Sequence, residues 1–263
     1  MKELRLAFGL FSVLPVGRVD PRPAGGRRAV LWLPVVGVVL ALLSVLPALL
    51  VWHGCGHGSA VLAAVAVVAA QALLTRGLHL DGLADLADGL GSGRPPAGAL
   101  DVMRRGDVGP FGVLAVVLSV LLQVAALGTV LAGHRVAVGV VAVAAAAMTG
   151  RLAVLWSAGR GVPAARPDGF GALVAGSIAW PAQLLSTVWV MVVLGAAALA
   201  AGASARDVGW FGGAMLAGLL AAWVVRLHAV RRLGGVSGDV FGALVEIAAT
   251  TALLVLAAES AWR

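Results

Sequence analysis

Asp81, Asp85 and Asp88 stand together in "RGLHLDGLADLADGL" (76–90), in a chain with only twelve acidic residues among 263. At about 100° per residue, the i, i+4, i+7 spacing gathers them into an arc of roughly 60° on one helix face. Leu83, Leu86, Ala87 and Leu90 cluster opposite. The segment therefore reads as an amphipathic helix with a carboxylate stripe, and His79 stands just ahead of it. Carboxylates about 6 Å apart, at an effective dielectric near 20, repel by roughly 3 kcal/mol per pair. No lysine four residues away dilutes that repulsion. Two remedies exist: protonate one carboxylate, or bind a cation. Oxygen ligands without thiolates or paired histidines suit Mg²⁺ or Mn²⁺ better than zinc, and Mg²⁺ takes one or two carboxylates and leaves room for substrate phosphates. The competing reading, an acidic surface helix with no chemistry, leaves the one-sided stripe without a cause.

Two further clusters suit phosphate. In "RRLGGVSGDVFGALVEI" (231–247), Gly234, Gly235 and Gly238 precede Asp239 at the mouth of the last apolar helix, where backbone N–H groups favour anions. Asp239 and Glu246 are again an i, i+7 pair, and a carboxylate inside a membrane span is a functional candidate by default; an N-cap role for Asp239 is the plain alternative. In "DVMRRGDVGPFG" (101–112), Arg104 and Arg105 precede a glycine-rich span start. They are candidates to clamp a pyrophosphate or, equally, topological anchors. Arg151 falls inside a span and must snorkel, face a wet cavity or pair with an acid. Arg160, Arg166 and Asp168, with Gly169 and Gly171, give a weaker signal: a loop, and at most a substrate contact.

The elements that position these residues are membrane helices. The chain is 61% hydrophobic and 12% charged, with a mean hydropathy of +1.02, which is not a soluble globular composition. Apolar runs predict spans near 29–52, 59–75, 110–132, 136–158, 175–201, 210–226 and 240–258, an all-α polytopic membrane protein of about seven transmembrane helices. "MKELRLAFGLFSVL" is too short to cross and reads as an N-terminal interfacial helix. The whole chain, 1–263, reads as one transmembrane domain whose motif region is 76–109. With the N-terminus inside, all basic residues except Arg135, Arg206 and Arg263 gather on the cytoplasmic side, Arg18 and Arg22 among them, as the positive-inside rule requires. The pI of about 11.5 is thus topological, and no nucleic-acid partner is expected. Most acidic residues, Asp20 included, fall on that same side, while His53, His57 and His134 fall outside. Cys55 is the only cysteine, so neither an internal disulfide nor a thiolate cluster can form. The tryptophans and Phe11, Phe111, Phe170 and Phe211 sit mostly at span ends, as in an aromatic belt.

"GLHLDGLADLADGL" (77–90), "VMRRGDVGPFG" (102–112) and "GGVSGDVFGALVE" (234–246), in this order between apolar spans, resemble the adenosylcobinamide-GDP ribazoletransferase family, also called cobalamin-5′-phosphate synthase. The resemblance runs from Leu14 to Glu246. It implies the final assembly of cobalamin in the cell inner membrane, with the active site facing the cytoplasm. α-Ribazole, or its 5′-phosphate, attacks the cobinamide-side phosphorus of adenosylcobinamide-GDP, and GMP leaves. Mg²⁺ is the implied cofactor, with Asp81, Asp85 and Asp88 as its ligands. His79 is then a base or a partner orienting one, and Asp239 and Glu246 complete the site or hold the attacking hydroxyl. Beside the resemblance, residue type and position make Arg104, Arg105, Arg151, Gly235 and Gly238 the candidate binding residues for the phosphate-bearing ligand. Many members carry Lys/Arg-Asp-Ser after the methionine matching Met103; here Arg104 is followed by Arg105 and Gly106, so no role carries over to Asp107. The implied partners are the two substrates and the bilayer; a homo-oligomer or a complex with other late-pathway enzymes is left open. A CDP-alcohol phosphotransferase is the nearest alternative, but Asp85 and Leu86 stand where its motif has Ala and Arg. A cation transporter would place its charges near the midplane of paired repeats, and no repeat is evident.

Overall fold

The computed structural model describes residues 2–17, 23–55, 59–133 and 135–261. Arg18, Asp20, Arg22, His57, His134 and Arg263 lie outside these residues. Among those described, the chain is helical apart from turns and two isolated bridges. In order come α1 (Lys2–Phe11), α2 (Pro23–Ala29), a 3₁₀ turn (Val30–Trp32), α3 (Leu33–Cys55), α4 (Ala60–Leu74) and α5 (Leu78–Gly91). Then follow α6 (Pro96–Val102), α7 (Pro110–Gly133), α8 (Val136–Ser157), α9 (Gly169–Val174), α10 (Trp180–Ala200), α11 (Ala205–Leu233) and α12 (Gly238–Ala261).

Six of these helices are long and apolar enough to cross a membrane: Gly25–Cys55, Pro110–Gly133, Val136–Ser157, Trp180–Ala200, Ala205–Leu233 and Gly238–Ser260. The second expected span, 59–75, is α4, whose 15 residues reach about 22 Å. It passes the length test only together with α5, across a bend of 86°. The sixth expected span, 210–226, is longer than its apolar run. Ser204 and Asp207 form a capping box ahead of it, and Gly234, left-handed at φ 83°, closes it.

Burial grades the helices by position. α8 is the axis, buried along most of its length. Small residues let its neighbours reach its backbone: a Cβ on Gly150 would lie 2.7 Å from the Val245 carbonyl oxygen of α12, and one on Gly37 3.0 Å from that of Ala147. Gly218 of α11 meets the Ala248 carbonyl in the same way. Contact through small residues is how helices associate in lipid, where apolar burial alone drives little. On the outside, Leu50, Leu73 and Leu185 are 76%, 74% and 72% exposed, on a surface that only hydrocarbon would cover. The N-terminal helix forms as expected, yet it does not float free. Leu6, Ala7 and Phe11 are buried against the bundle, and the Val13 N–H donates to the Leu74 carbonyl at 2.8 Å.

Candidate active site

The site begins at the bend between α4 and α5. Arg76 (φ 54°) and Gly77 (φ 68°) are consecutive left-handed residues, a conformation open to glycine and strained for arginine. They turn the chain crosswise to α4, so that α5 lies over the first turns of α7 and α12 at one end of the bundle rather than running on through it. Two glycines allow the crossing. A Cβ on Gly82 would lie 2.7 Å from the Asp239 carbonyl oxygen, and one on Gly242 would lie 3.3 Å from the Cα atoms of both Gly82 and His79. The two acidic motifs, distant in sequence, thereby meet backbone to backbone.

Asp85, half-buried on α5, registers the result. Burial, then the charges of Asp239, Asp81 and Asp88, push its carboxyl up to about 7, with Arg166 pulling the other way. Beside it Asp81 is exposed. Asp239 accepts the Ser237 hydroxyl at 3.2 Å and faces Arg166 Nη1 at 3.8 Å.

Asp88 has a different occupation. It turns inward, 8% exposed, and both its oxygens accept backbone N–H groups, from Gly109 at 2.7 Å and from Gly112 at 2.9 Å. These are orphan donors at the start of α7, so Asp88 anchors α5 to that helix by charge-assisted bonds. A Cβ on Gly109 would lie 2.5 Å from an Asp88 oxygen, and one on Gly112 would also collide with it. The glycines of "GDVGPFG" thus make room for this carboxylate. Among the described residues, no three His, Cys, Asp or Glu side chains are placed to hold one metal ion together. What the cluster offers instead is Asp81 and Asp85 beside Asp239: an all-oxygen set, crowded enough to raise Asp85. That donor set suits a Mg²⁺ held by one or two carboxylates and completed by substrate phosphate, and does not suit a closed cage.

A cavity of about 190 Å³ opens beside the cluster, lined among others by His79, Asp81, Arg151, Gly238 and Asp239. His79 is buried, and burial together with the Arg151 charge holds its imidazole well below the usual range, hence neutral. A larger, mostly apolar groove of about 730 Å³ runs between α1, α5 and α7. Asp81 lines both. Arg151, the arginine inside a span, faces the inner cavity and also a small deeper one of about 50 Å³ that it shares with Gln71, Gln123 and Glu246. Glu246 therefore sits one compartment deeper than Asp239. It accepts from Gln123 Nε2 at 2.7 Å, and the same amide also donates to Thr250 at 3.0 Å.

The remaining candidates divide. Gly238 lines the inner cavity, whereas Gly235 serves packing: a Cβ there would lie 2.5 Å from the Ala165 nitrogen. Its bareness lets the 163–165 loop pair with Val236, the Ala165 N–H donating to the Val236 carbonyl and the Val236 N–H to that of Pro163, both at 2.9 Å. This loop delivers Arg166, whose Nη2 donates to the Leu100 carbonyl at 2.8 Å. Arg104 and Arg105 are exposed on the turn after α6 and line neither the inner cavity nor the groove. In the sequence Arg166 gives only a weak loop signal, marked by the glycines that follow it. Phe11 and Phe170 read there as part of an aromatic belt. They are instead cavity walls, stacked edge-to-face with each other at 5.3 Å and, through Phe170, with Phe241 at 5.9 Å. Phe211 is likewise buried in the core, not at an interface. No local pattern marks those contacts, which depend on α1, α9 and α12 converging.

Fold and site together define a polytopic helical membrane protein with a carboxylate-and-arginine site at one end of its bundle. The chain belongs to the cobalamin-5-phosphate synthase family, whose sequence model matches residues 3–257. It is 43% identical to an adenosylcobinamide-GDP ribazoletransferase of Frankia casuarinae over 98% of this chain and 95% of that protein. A protein of the same name from Nocardioides sp. is 38% identical, with 97% of each chain covered. Another from Bradyrhizobium diazoefficiens is 35% identical over 97% of this chain and 93% of its own. No solved structure shows a significant match.

Proposed function

We propose that this chain is a Mg²⁺-dependent adenosylcobinamide-GDP ribazoletransferase of the cell inner membrane, working from the cytoplasmic face. The observation that carries the reading is the meeting of α5 and α12. Residues from two motifs far apart in the sequence, His79 and Asp81 with Gly238 and Asp239, line one cavity in a chain of this family.

The reaction joins the hydroxyl of α-ribazole, or of its 5′-phosphate, to the cobinamide-side phosphorus. The bond from that phosphorus to the bridging oxygen breaks, GMP leaves with the electron pair, and the hydroxyl proton is released. Asp81 and Asp85 are the groups to hold Mg²⁺, which when bound would neutralise the diphosphate and the charge growing on the departing phosphate. Arg166, pinned by the Leu100 carbonyl, is within reach of the same phosphates and balances Asp239 until they arrive. Neutral His79 accepts a hydrogen bond from the attacking hydroxyl and orients it. Asp239 then takes the proton, its carboxylate kept in place by Ser237. Asp88 and Glu246 act at one remove. Asp88 fixes α5 against α7, and Glu246, held by Gln123, stands behind Arg151 in the deeper cavity. Arg104 and Arg105, exposed at the rim, serve as topological anchors and as the first attraction for a polyanionic donor.

The test supplies adenosylcobinamide-GDP and α-ribazole to membranes containing the protein. GMP and completed corrinoid should form in equal amounts and stop on chelation of Mg²⁺. Turnover that persists after chelation contradicts the metal assignment. Release of GMP without a joined corrinoid contradicts the transferase.

A further inference from the structure

Arg151, which lines the inner cavity and the deeper one, holds an unused hydrogen-bonding capacity. Arg151 is 4% exposed; its Nη1 donates to the Ala147 carbonyl at 3.3 Å, while Nε and Nη2 are buried without a hydrogen-bond partner. Buried N–H donors left unmade are costly and rare, so this pair points to an acceptor supplied from elsewhere. That acceptor need not be an anion. Glu246 shares the deeper cavity with Arg151, and what Arg151 leaves open are N–H donors, which a neutral lone-pair acceptor satisfies.

The other walls are apolar, part aliphatic and part aromatic. Phe11, Phe170 and Phe241 form a continuous edge-to-face series along the cavity, an arrangement that offers a further ring an apolar slot. At about 190 Å³, the space is below the about 300 Å³ at which pockets for whole drug-sized ligands begin. A corrinoid or an entire nucleotide is excluded, whereas a flat bicyclic ring fits. His79, Asp81 and Asp239 line the same cavity, and the reacting phosphate would lie beside them.

We propose that the inner cavity is a base pocket, taking a fused heteroaromatic ring against the wall of phenylalanines with its ring acceptor on Nε and Nη2 of Arg151. This rests on the transferase reading for its choice of ligands, which supplies two such rings: the benzimidazole of the acceptor and the guanine of the donor. Both present an in-plane acceptor to a forked donor, as arginine meets guanine elsewhere.

The experiment measures equilibrium binding of α-ribazole, GMP and inorganic pyrophosphate, each alone, to purified wild-type protein and to Phe170→Leu and Arg151→Lys. Phe170→Leu keeps an apolar wall and removes the ring. Arg151→Lys keeps the charge opposite Glu246 and removes the fork. Each variant should weaken one of the two nucleosides by about tenfold and leave pyrophosphate unchanged. Loss of α-ribazole assigns the pocket to the acceptor, and loss of GMP assigns it to the donor. Should Arg151→Lys not fold, Phe170→Leu decides alone, because Phe170 sits on the short α9 outside the spanning helices. Unchanged affinity for both nucleosides, or equal weakening of nucleosides and pyrophosphate, overturns the proposal. A wild-type protein that binds these probes yet transfers nothing would contradict the transferase reading and leave the pocket standing.

Discussion

Two aspartates three residues apart on one helix illustrate how far residue type alone carries. Asp85 and Asp88 share a face in projection, yet one is crowded by like charges and the other is capped by amides. Their substitutions should therefore separate. Asp88→Asn loses the charge from two backbone bonds and sets an amide N–H against a glycine N–H; it should destabilise the folded protein by about 2 kcal/mol, read as a lower melting temperature in detergent. Asp85→Asn should do the reverse in metal-free protein, in a pH-dependent way. With its folded carboxyl at about 7, above the ordinary carboxylate value, the native state binds more protons than the unfolded chain between roughly pH 4 and 7. Wild-type stability contributed by this group falls as pH rises through that window. The asparagine variant should gain in melting temperature over wild type at pH 8 and show little difference at pH 5; an equal difference at both would contradict this. The carboxylate stripe was legible from spacing. The fate of its third member was not, because Asp88's partners lie 21 and 24 residues away and enter only when α7 covers that face.

At the scale of elements, the spans were legible because lipid demands long uninterrupted apolar helices, and few other solutions exist. The bend between α4 and α5 was not, since "TRGLHL" contains one glycine and no proline, and the turn is completed by Arg76 in a strained conformation. Nor did Gly82 announce itself as a crossing point; it reads as filler inside an amphipathic helix until α12 is laid against it. Gly82→Ala should therefore hurt function more than its small size suggests. Its Cβ would press on the Asp239 carbonyl and move α5 away from α12, with a loss of transferase activity of about tenfold or more and only a modest change in melting temperature. Activity close to wild type would mean that the crossing is looser than drawn. Gly77→Ala tests the bend itself. Its side chain meets open space, so the expected cost is conformational, about 1 kcal/mol.

For the whole molecule, the charge asymmetry read from the sequence and the apolar exterior describe the same object: a bundle with its polar chemistry at one end. Cys55, exposed at the far end of α3 and the only cysteine, is a native reporter of orientation. A membrane-impermeant maleimide should label it from outside sealed cells, and labelling only after the membrane is breached would invert the topology. GMP release by Asp85→Ala, Asp239→Asn and the double variant, at matched protein levels, tests whether the carboxylates of α5 and α12 act as one unit. Each single change should cost about a hundredfold or more, and the pair should be little worse than either alone. Near-normal turnover in either single variant, or losses that multiply in the double, would contradict it.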